Sequence, residues 1–371
     1  MGSRQVVHGD ALNRRWRGWY TPMMTTIADA LLSTIAAWSV QTDDPLYLEQ
    51  RIFGTSDPQQ IARQVEAFCA ARLGAPVEDA LFWSSNIGSV FGVLLADGRR
   101  VVIKASRPTV RIASLSAVQR VQRFLAARHF PCPPLLLGPV PLAAGHAMVE
   151  EMVDVGSYAD AHDPPIRCAM ARTFVELVAL CRQLGSMPDL QSWVPPASSS
   201  GPLWPTPHHP MFDFAATGAG AGWIDDLARS AQVTRAEDSS QFVIGHADWT
   251  AKHFRFSDAV PTVIYDWDSL VHIREAQLVG IAGATFTMTW ELPVALAPRP
   301  EETDAFTAEY EHARGATFSA EDRRAIGAHA TYTMAYGARC EHAIDPNAAP
   351  FPPGSQRAAL ALRRAAIQGI G

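Results

Sequence analysis

The sequence predicts an α+β protein of two lobes: a small N-terminal lobe around an antiparallel sheet and a larger, mainly helical C-terminal lobe. Three observations carry this expectation. At 371 residues the chain is longer than one hydrophobic core usually supports. Between residues 80 and 153, short apolar runs rich in β-branched and aromatic residues flank one amphipathic helix. Beyond residue 165 helical periodicity dominates, which points to strands and helices segregated along the chain rather than alternating.

The elements follow in order. Residues 24 to 75 read as helical, with Leu31, Ile35 and Trp38 at helical spacing and a second periodic segment from Pro58 to Leu73, so residues 1–75 form an expected N-terminal extension. The small lobe is expected at 76–153. It opens with strand-like Leu81-Phe82-Trp83, then Val90 to Leu95, the turn Ala96-Asp97-Gly98, and Arg100 to Ala105. A helix from Thr109 to Arg128 carries Val118, Val121 and Leu125 on one face, and Pro131, Pro133 and Pro134 end it. Leu135 to Leu137 and Ala147 to Val149 read as further strands, closing at Glu150-Glu151-Met152-Val153. In the second lobe, 154–371, an apolar helix spans 165–186 and Pro188 to Asp213 reads as a long loop or lid. A short helix at 223–232, two short strands around a polar loop within 242–268, and mostly helix over 276–371 complete the chain, with no internal repeat.

Composition narrows the function. A formal charge of −6 disfavours a nucleic-acid binder, which needs a basic surface against phosphates. The apolar stretch from Ala28 to Val40 is interrupted by Asp29, Ser33 and Thr34 and is too short to span a bilayer, so no membrane partner is expected. The first 20 residues hold Arg14, Arg15 and Arg17 but no apolar signal-peptide core, and Met23-Met24 are candidate alternative starts, which makes a cytoplasmic location the expectation. Cys69, Cys132, Cys168, Cys181 and Cys340 have no C-x-x-C spacing and read as free thiols. Of 31 basic residues only Lys104 and Lys252 are lysines. In a chain otherwise using arginine, each marks a place where a compact ammonium suits better than a planar fork.

The strongest chemical signal is Gly245-His246-Ala247-Asp248-Trp249-Thr250-Ala251-Lys252-His253 followed by Val263-Ile264-Tyr265-Asp266-Trp267-Asp268. Each aspartate stands at the end of an apolar run. Phosphoryl transfer needs one carboxylate to orient and deprotonate the attacking hydroxyl and another to hold a divalent cation against the phosphates. Two strand-end aspartates 18 positions apart supply both, although either can also be a turn or capping residue. Upstream, Val101-Val102-Ile103-Lys104 has the form of the strand lysine that kinases place on nucleotide phosphates.

On these residues the chain, over roughly 80–345, resembles the aminoglycoside phosphotransferase family, which shares the protein-kinase-like fold with choline and homoserine kinases. The resemblance implies ATP or GTP and Mg²⁺ as cofactors, Asp248 as catalytic base, Asp266 as the principal metal ligand and Lys104 as the phosphate-binding lysine. His246 is then structural, and Glu151 and Val153 fall at an adenine-binding hinge or simply at a strand end. The nucleotide-covering loop is Ser84 to Val90, with Ser85 and Gly88 near the phosphates.

The sequence departs from the family pattern in three ways. Ala247 stands where the family has Gly and His253 where it has Asn, so His253 either ligates a metal or hydrogen-bonds Asp248 or the loop backbone. The 109–128 helix has no Glu to pair with Lys104, which leaves Gln119 as the expected substitute and Gln122 as its neighbour. The covering loop holds one glycine only. Lys252 either stabilises the transferred phosphoryl group or is a solvated loop residue, and Asp268 is a second metal ligand or a helix cap.

The acceptor is expected to be a small molecule such as an aminoglycoside-like antibiotic or an amino alcohol. Glu275, Glu291, Glu341 and Asp345 are the acidic residues that would draw a cationic one, and Trp204, His208, His209, Phe212 and Asp213 of the 188–213 loop are those that would close over it. Two other classes compete: a kinase-like module that binds nucleotide or ligand without turnover, and a metal-dependent hydrolase using His246, Asp248, His253 and Asp266. Nothing in the sequence sets the oligomeric state.

Overall fold

The computed structural model describes residues 26–38, 46–85, 87–190, 201–207 and 209–368. Arg14, Arg15, Arg17, Met23-Met24, Asn86 and His208 lie outside the described residues. The chain divides into two compact units, residues 1–127 with 133–154, and residues 128–132 with 155–371.

The first unit is built on one five-stranded antiparallel sheet. Its strands are β1 (Val77–Ser85), β2 (Ser89–Leu95), β3 (Arg100–Ser106), β4 (Leu135–Leu142) and β5 (Gly145–Glu151), in spatial order β1-β2-β3-β5-β4. Side chains alternate along β3, so Val101, Ile103 and Ala105 are buried on one face while Lys104 points to the other. The buried face packs against helices α1 (Ile27–Trp38), α2 (Tyr47–Phe53) and α3 (Pro58–Phe68), whose Leu31, Ile52, Ile61 and Val65 share a core with Phe91, Val93 and Val149. Asp57 caps α3 by accepting from the Gln59 amide, with Pro58 at the first helical position. Helix α4 (Ile112–Ala126) is shorter at both ends than the expected 109–128.

The β1–β2 hairpin closes on the pair Ser85 and Ser89. A Cβ at Gly88 would come within 2.9 Å of the Ala105 carbonyl oxygen, so the single glycine of this loop serves close approach to β3.

The second unit is mainly helical. It contains α5 (Pro164–Cys181), α6 (Gly222–Ala236), α7 (Glu275–Thr285), α8 (Pro300–Arg314), α9 (Ala320–Ile344) and α10 (Gln356–Gln368). Among the described residues no helix is long and apolar enough to cross a membrane. Helix α7 is buried on every side from Glu275 to Ala284 and forms the centre of the unit. Its Gly280 faces α9 so closely that a Cβ there would meet the Ile326 carbonyl oxygen and His329 Cβ at 2.6 Å.

Within 242–268, where two short strands were expected, there are three, β6 (Phe242–His246), β7 (Phe254–Ser257) and β8 (Val260–Ile264), and a further strand, β9 (Leu270–Arg274), follows. They pair as β7 with β8 and β6 with β9. Two causes hide them from the sequence. Each is only four or five residues, and the β7–β8 turn uses Asp258 and Ala259 at φ of 48° and 60° where the usual signal is Asn-Gly or Asp-Gly.

The 188–213 segment, expected as a lid, is packed down where it is described. Trp204 donates to Asp225 at 3.0 Å and lies against Tyr332, Phe212 is buried, and Asp213 accepts from the amides of Ala215 and Ala216. Within this unit, Gly280→Val forces α7 and α9 apart. We expect it to lower the unfolding free energy by about 1–3 kcal/mol, read by urea denaturation, whereas Gly222→Val, at a position with open space around it, should change it far less.

Candidate functional site

Both aspartates of the sequence signal follow a short strand and precede a tryptophan. Asp248 lies two residues beyond β6 and Asp266 two beyond β8. Trp249 and Trp267 are fully buried. Trp249 donates its indole N–H to the Met170 carbonyl of α5 at 3.1 Å and stacks on Phe174 at 4.5 Å between centroids. Trp267 donates to the Ile264 carbonyl at 2.7 Å and meets Phe130 edge-on. Each ring pins its loop to the core, which leaves the preceding carboxylate on the accessible side.

His246 joins the two loops. Its Nδ1 accepts from the Asp248 amide at 3.2 Å, so Nε2 carries the proton and donates to the Tyr265 carbonyl at 3.1 Å. Burial, with the nearby His253 adding to it, pushes its pKa down to about 4, against partial opposition from Asp266 and Asp248. The ring is therefore neutral at physiological pH. This agrees with the structural role expected for it.

Asp248 Oδ2 accepts from Lys252 Nζ and from His253 Nε2, each at 2.8 Å. Burial works to raise its pKa, but Lys252 first and His253 second outweigh that and hold the carboxyl well below the ordinary value. Lys252 also sits 5.0 Å from the Trp290 ring centroid, a residue that the sequence reading passed over because nothing local marks it. Its backbone N–H donates to the Met288 carbonyl, so the 250s loop is stitched to the segment after α7.

Asp266 adopts the left-handed conformation, φ 65° and ψ 44°, at the start of the single helical turn Trp267–Ser269. Aspartate tolerates this region better than most residues. Ser269 donates its hydroxyl to Asp266 Oδ2 at 2.8 Å, and His253 Nε2 lies 3.7 Å from the same oxygen. His253 thus bridges the two carboxylates. One donor atom from each of Asp248, His253 and Asp266 falls within 4.8 Å of the others, a spacing fit for one divalent cation. Two carboxylate oxygens suit a hard ion such as Mg²⁺, and the imidazole extends the set towards Mn²⁺. Asp268 lies outside this trio, and since strand Leu270–Arg274 follows the turn, its alternative reading as the N-cap of a helix beginning near Ser269 is corrected.

In the first unit, Lys104 Nζ lies 3.4 Å from Glu150 Oε1. The register explains the pair. Lys104 stands opposite Met148 and Glu150 opposite Val102, so the two are diagonal neighbours on one face of the β3–β5 ladder. Glu150 Oε1 also accepts from Gln122 Nε2 of α4 at 2.9 Å, and the same amide donates to the Pro133 carbonyl at 3.0 Å. Gln119, expected to orient Lys104, instead donates to the Gly138 carbonyl, and Gln122, one turn further along α4, is the glutamine that reaches the lysine's partner Glu150. The correction is physical: a strand residue had no visible claim on Lys104 until the sheet set its register.

Ser85 is buried at the end of β1 and Gly88 abuts β3. Glu151 ends β5 with its amide donating to the Pro134 carbonyl, and the Met152 amide donates to Arg100. Val153 lies two residues beyond the end of β5.

Of the four acidic candidates for acceptor attraction, three are committed to the fold. Glu275 accepts from Tyr310 and Gln241 and pairs with Arg314; Glu341 receives the amides of Gln356 and Arg357; the Asp345 side chain accepts from the Asn347 amide. Glu291 differs. Burial pushes its carboxyl up to about 7, against the pull of Arg255.

The His246 environment makes stability depend on pH. The unfolded chain protonates this ring near 6.5 and the folded protein only near 4, so its contribution is complete above 6.5 and is lost as pH falls towards 4. Between pH 7 and 5 we expect wild type to lose roughly 2 kcal/mol more unfolding free energy than His246→Gln, measured by urea denaturation at both pH values.

No family model and no curated protein matches the chain at the level of sequence. Solved structures do match. The amicoumacin kinase hAmiN, in complex with AMP-PNP, Ca²⁺ and Ami, aligns at a TM-score of 0.52 and 12% identity over 78% of this chain and 88% of that one. A candidate aminoglycoside phosphotransferase of Ralstonia eutropha JMP134 aligns at a TM-score of 0.52 and 12% identity over 83% of this chain and 96% of that one. With its five-stranded antiparallel lobe and larger helical lobe, this chain has the protein-kinase-like fold that those two structures share.

Proposed function

We propose that the protein transfers the γ-phosphoryl group of ATP, or GTP, to a hydroxyl of a small molecule. The observation that carries this reading is the convergence of Asp248, Lys252, His253 and Asp266 around two loops anchored by buried tryptophans. The fold adds support, since the amicoumacin kinase of the same fold binds a nucleotide analogue and a divalent cation. In this proposal residues 76–153, with the extension 1–75, bind nucleotide, residues 154–371 carry catalysis and acceptor binding, and the protein works in the cytoplasm.

Asp248 accepts a hydrogen bond from the acceptor hydroxyl and aims its oxygen at the γ-phosphorus. As the new P–O bond forms, the bond to the β–γ bridging oxygen breaks, ADP leaves, and the hydroxyl proton passes to Asp248. A carboxyl held so acidic takes that proton late, which suits a transition state in which leaving-group cleavage runs ahead of attack. Lys252 offsets the charge on Asp248 and on the transferring group. Lys104 holds the nucleotide phosphates. Asp266 and His253, with Asp248 in reach, would hold Mg²⁺, which when bound neutralises phosphate charge. Glu291, whose carboxyl burial raises to about 7, would face a cationic acceptor such as an aminoglycoside-like antibiotic or an amino alcohol, and the bound cation would favour its ionised form.

Two measurements test the reading. Calorimetry with ATP and Mg²⁺ should show binding that weakens at least tenfold in Asp266→Asn, a variant that tolerates the left-handed backbone as well as Asp does. Asp248→Asn should keep ATP binding while phosphorylation of a hydroxylated amine falls about a hundredfold or more. Failure of wild type to bind ATP or GTP at millimolar concentration would sink the proposal, and tightly held zinc in the purified protein would turn it towards a metal-dependent hydrolase. Replacing His253 by Asn exchanges an imidazole for an amide oxygen. The ratio of Mg²⁺ to Mn²⁺ affinity, from direct titration of the protein with each ion, should therefore rise several-fold.

A further inference from the structure

Protein kinases hold their strand lysine with a glutamate from the adjacent helix, an ion pair that must be in place for transfer. Helix α4 contains no acidic residue at all between Ile112 and Ala126. We propose that Glu150 of β5 is the positioning residue that takes this part, so that the sheet rather than the helix aims Lys104 at the nucleotide phosphates. The inference rests on the reading of Lys104 given above.

Three observations support it. The Glu150 carboxylate is 3.4 Å from Lys104 Nζ, and the two side chains are 3% and 12% exposed, so the pair is shielded from competing water and salt. Adjacent strands fix its geometry, because the β3–β5 register places residues 104 and 150 diagonally on one face. Gln122, fully buried on α4, directs its amide N–H groups at Glu150 Oε1 and at the Pro133 carbonyl. The helix has therefore kept a contact to the pair but exchanged the charge: a carboxamide on α4 supports a carboxylate on β5, where the kinase arrangement has the carboxylate on the helix.

The consequence concerns control as well as geometry. A helix-borne glutamate can withdraw when its helix moves, and the lysine loses its partner. A glutamate on a neighbouring strand shares the hydrogen-bonded ladder with its lysine, so the sheet sets the backbone spacing of the pair and α4 adds only the Gln122 bond to Glu150. Lys104 is thus held ready without a helix-driven switch.

The test compares ATP with adenosine, which lacks phosphates, by calorimetry on wild type, K104A, E150Q and the double exchange Q122E/E150Q. The exchange returns the charge to the helix and keeps a donor–acceptor pair between residues 122 and 150 with its direction reversed, while giving up the Gln122 bond to the Pro133 carbonyl. We expect K104A and E150Q each to lose about tenfold or more in ATP affinity with adenosine affinity unchanged, and the exchange to recover to within about threefold of wild type. A K104A variant weakened for ATP beside an E150Q variant that binds it like wild type overturns the inference and leaves Lys104 as the phosphate lysine. If K104A itself binds ATP like wild type, the phosphate role of Lys104 falls, and the inference with it. Should E150Q alone fail to fold, the exchange decides: a folded exchange with wild-type preference for ATP over adenosine supports the inference, and one that has lost the preference overturns it.

Discussion

One neutral imidazole sets the geometry on which the rest of the second unit's chemistry depends. His246 ends β6, accepts the Asp248 amide and donates to the Tyr265 carbonyl, so a single ring ties the loop after β6 to the loop after β8. Those loops are 18 residues apart in sequence and contain every group of the candidate metal trio. The ring can do this only while neutral, since protonated Nδ1 could not accept. Burial secures that state. Trp249 and Trp267 complete the clamp by anchoring the residue after each aspartate, so neither carboxylate is free to turn inward.

Charge around Asp248 is balanced in the same local way. Two potential cations, Lys252 and His253, meet one carboxylate oxygen, and His253 reaches the second carboxylate as well. Lone carboxylates brought this close would repel and resist ionisation; flanked by an ammonium and an imidazole, Asp248 stays charged. The left-handed backbone at Asp266 belongs to this arrangement. It turns the chain immediately after β8, so that Ser269 can hold Asp266 Oδ2 and return the chain into β9 beside β6.

The two retained lysines illustrate how differently a side chain can be secured. Lys252 is four residues from its partner and lies in the same loop, a contact that sequence proximity makes easy to foresee. Lys104 meets Glu150 across 46 residues of chain, through a helix and a strand that neither residue belongs to. Both pairs are partly or wholly shielded, which is where an ion pair retains its directing power.

What the sequence determined by itself was local: the order of strands and helices in the first unit, the long helices of the second, the aspartates at the ends of Val243–His246 and Val263–Ile264, the strand position of Lys104, and the structural part of His246. Each of these rests on periodicity or spacing within a few residues. The tertiary structure decided what depended on partners distant in the chain. It paired β6 with β9 around an inserted hairpin, set the β3–β5 register that gives Lys104 a carboxylate on a strand, and sent Gln119 to Gly138. It also committed Glu275, Glu341 and Asp345 to hydrogen bonds within the fold. A one-residue change of register moves every side chain of a strand to the other face, and no local pattern encodes which residue of a distant strand will stand opposite.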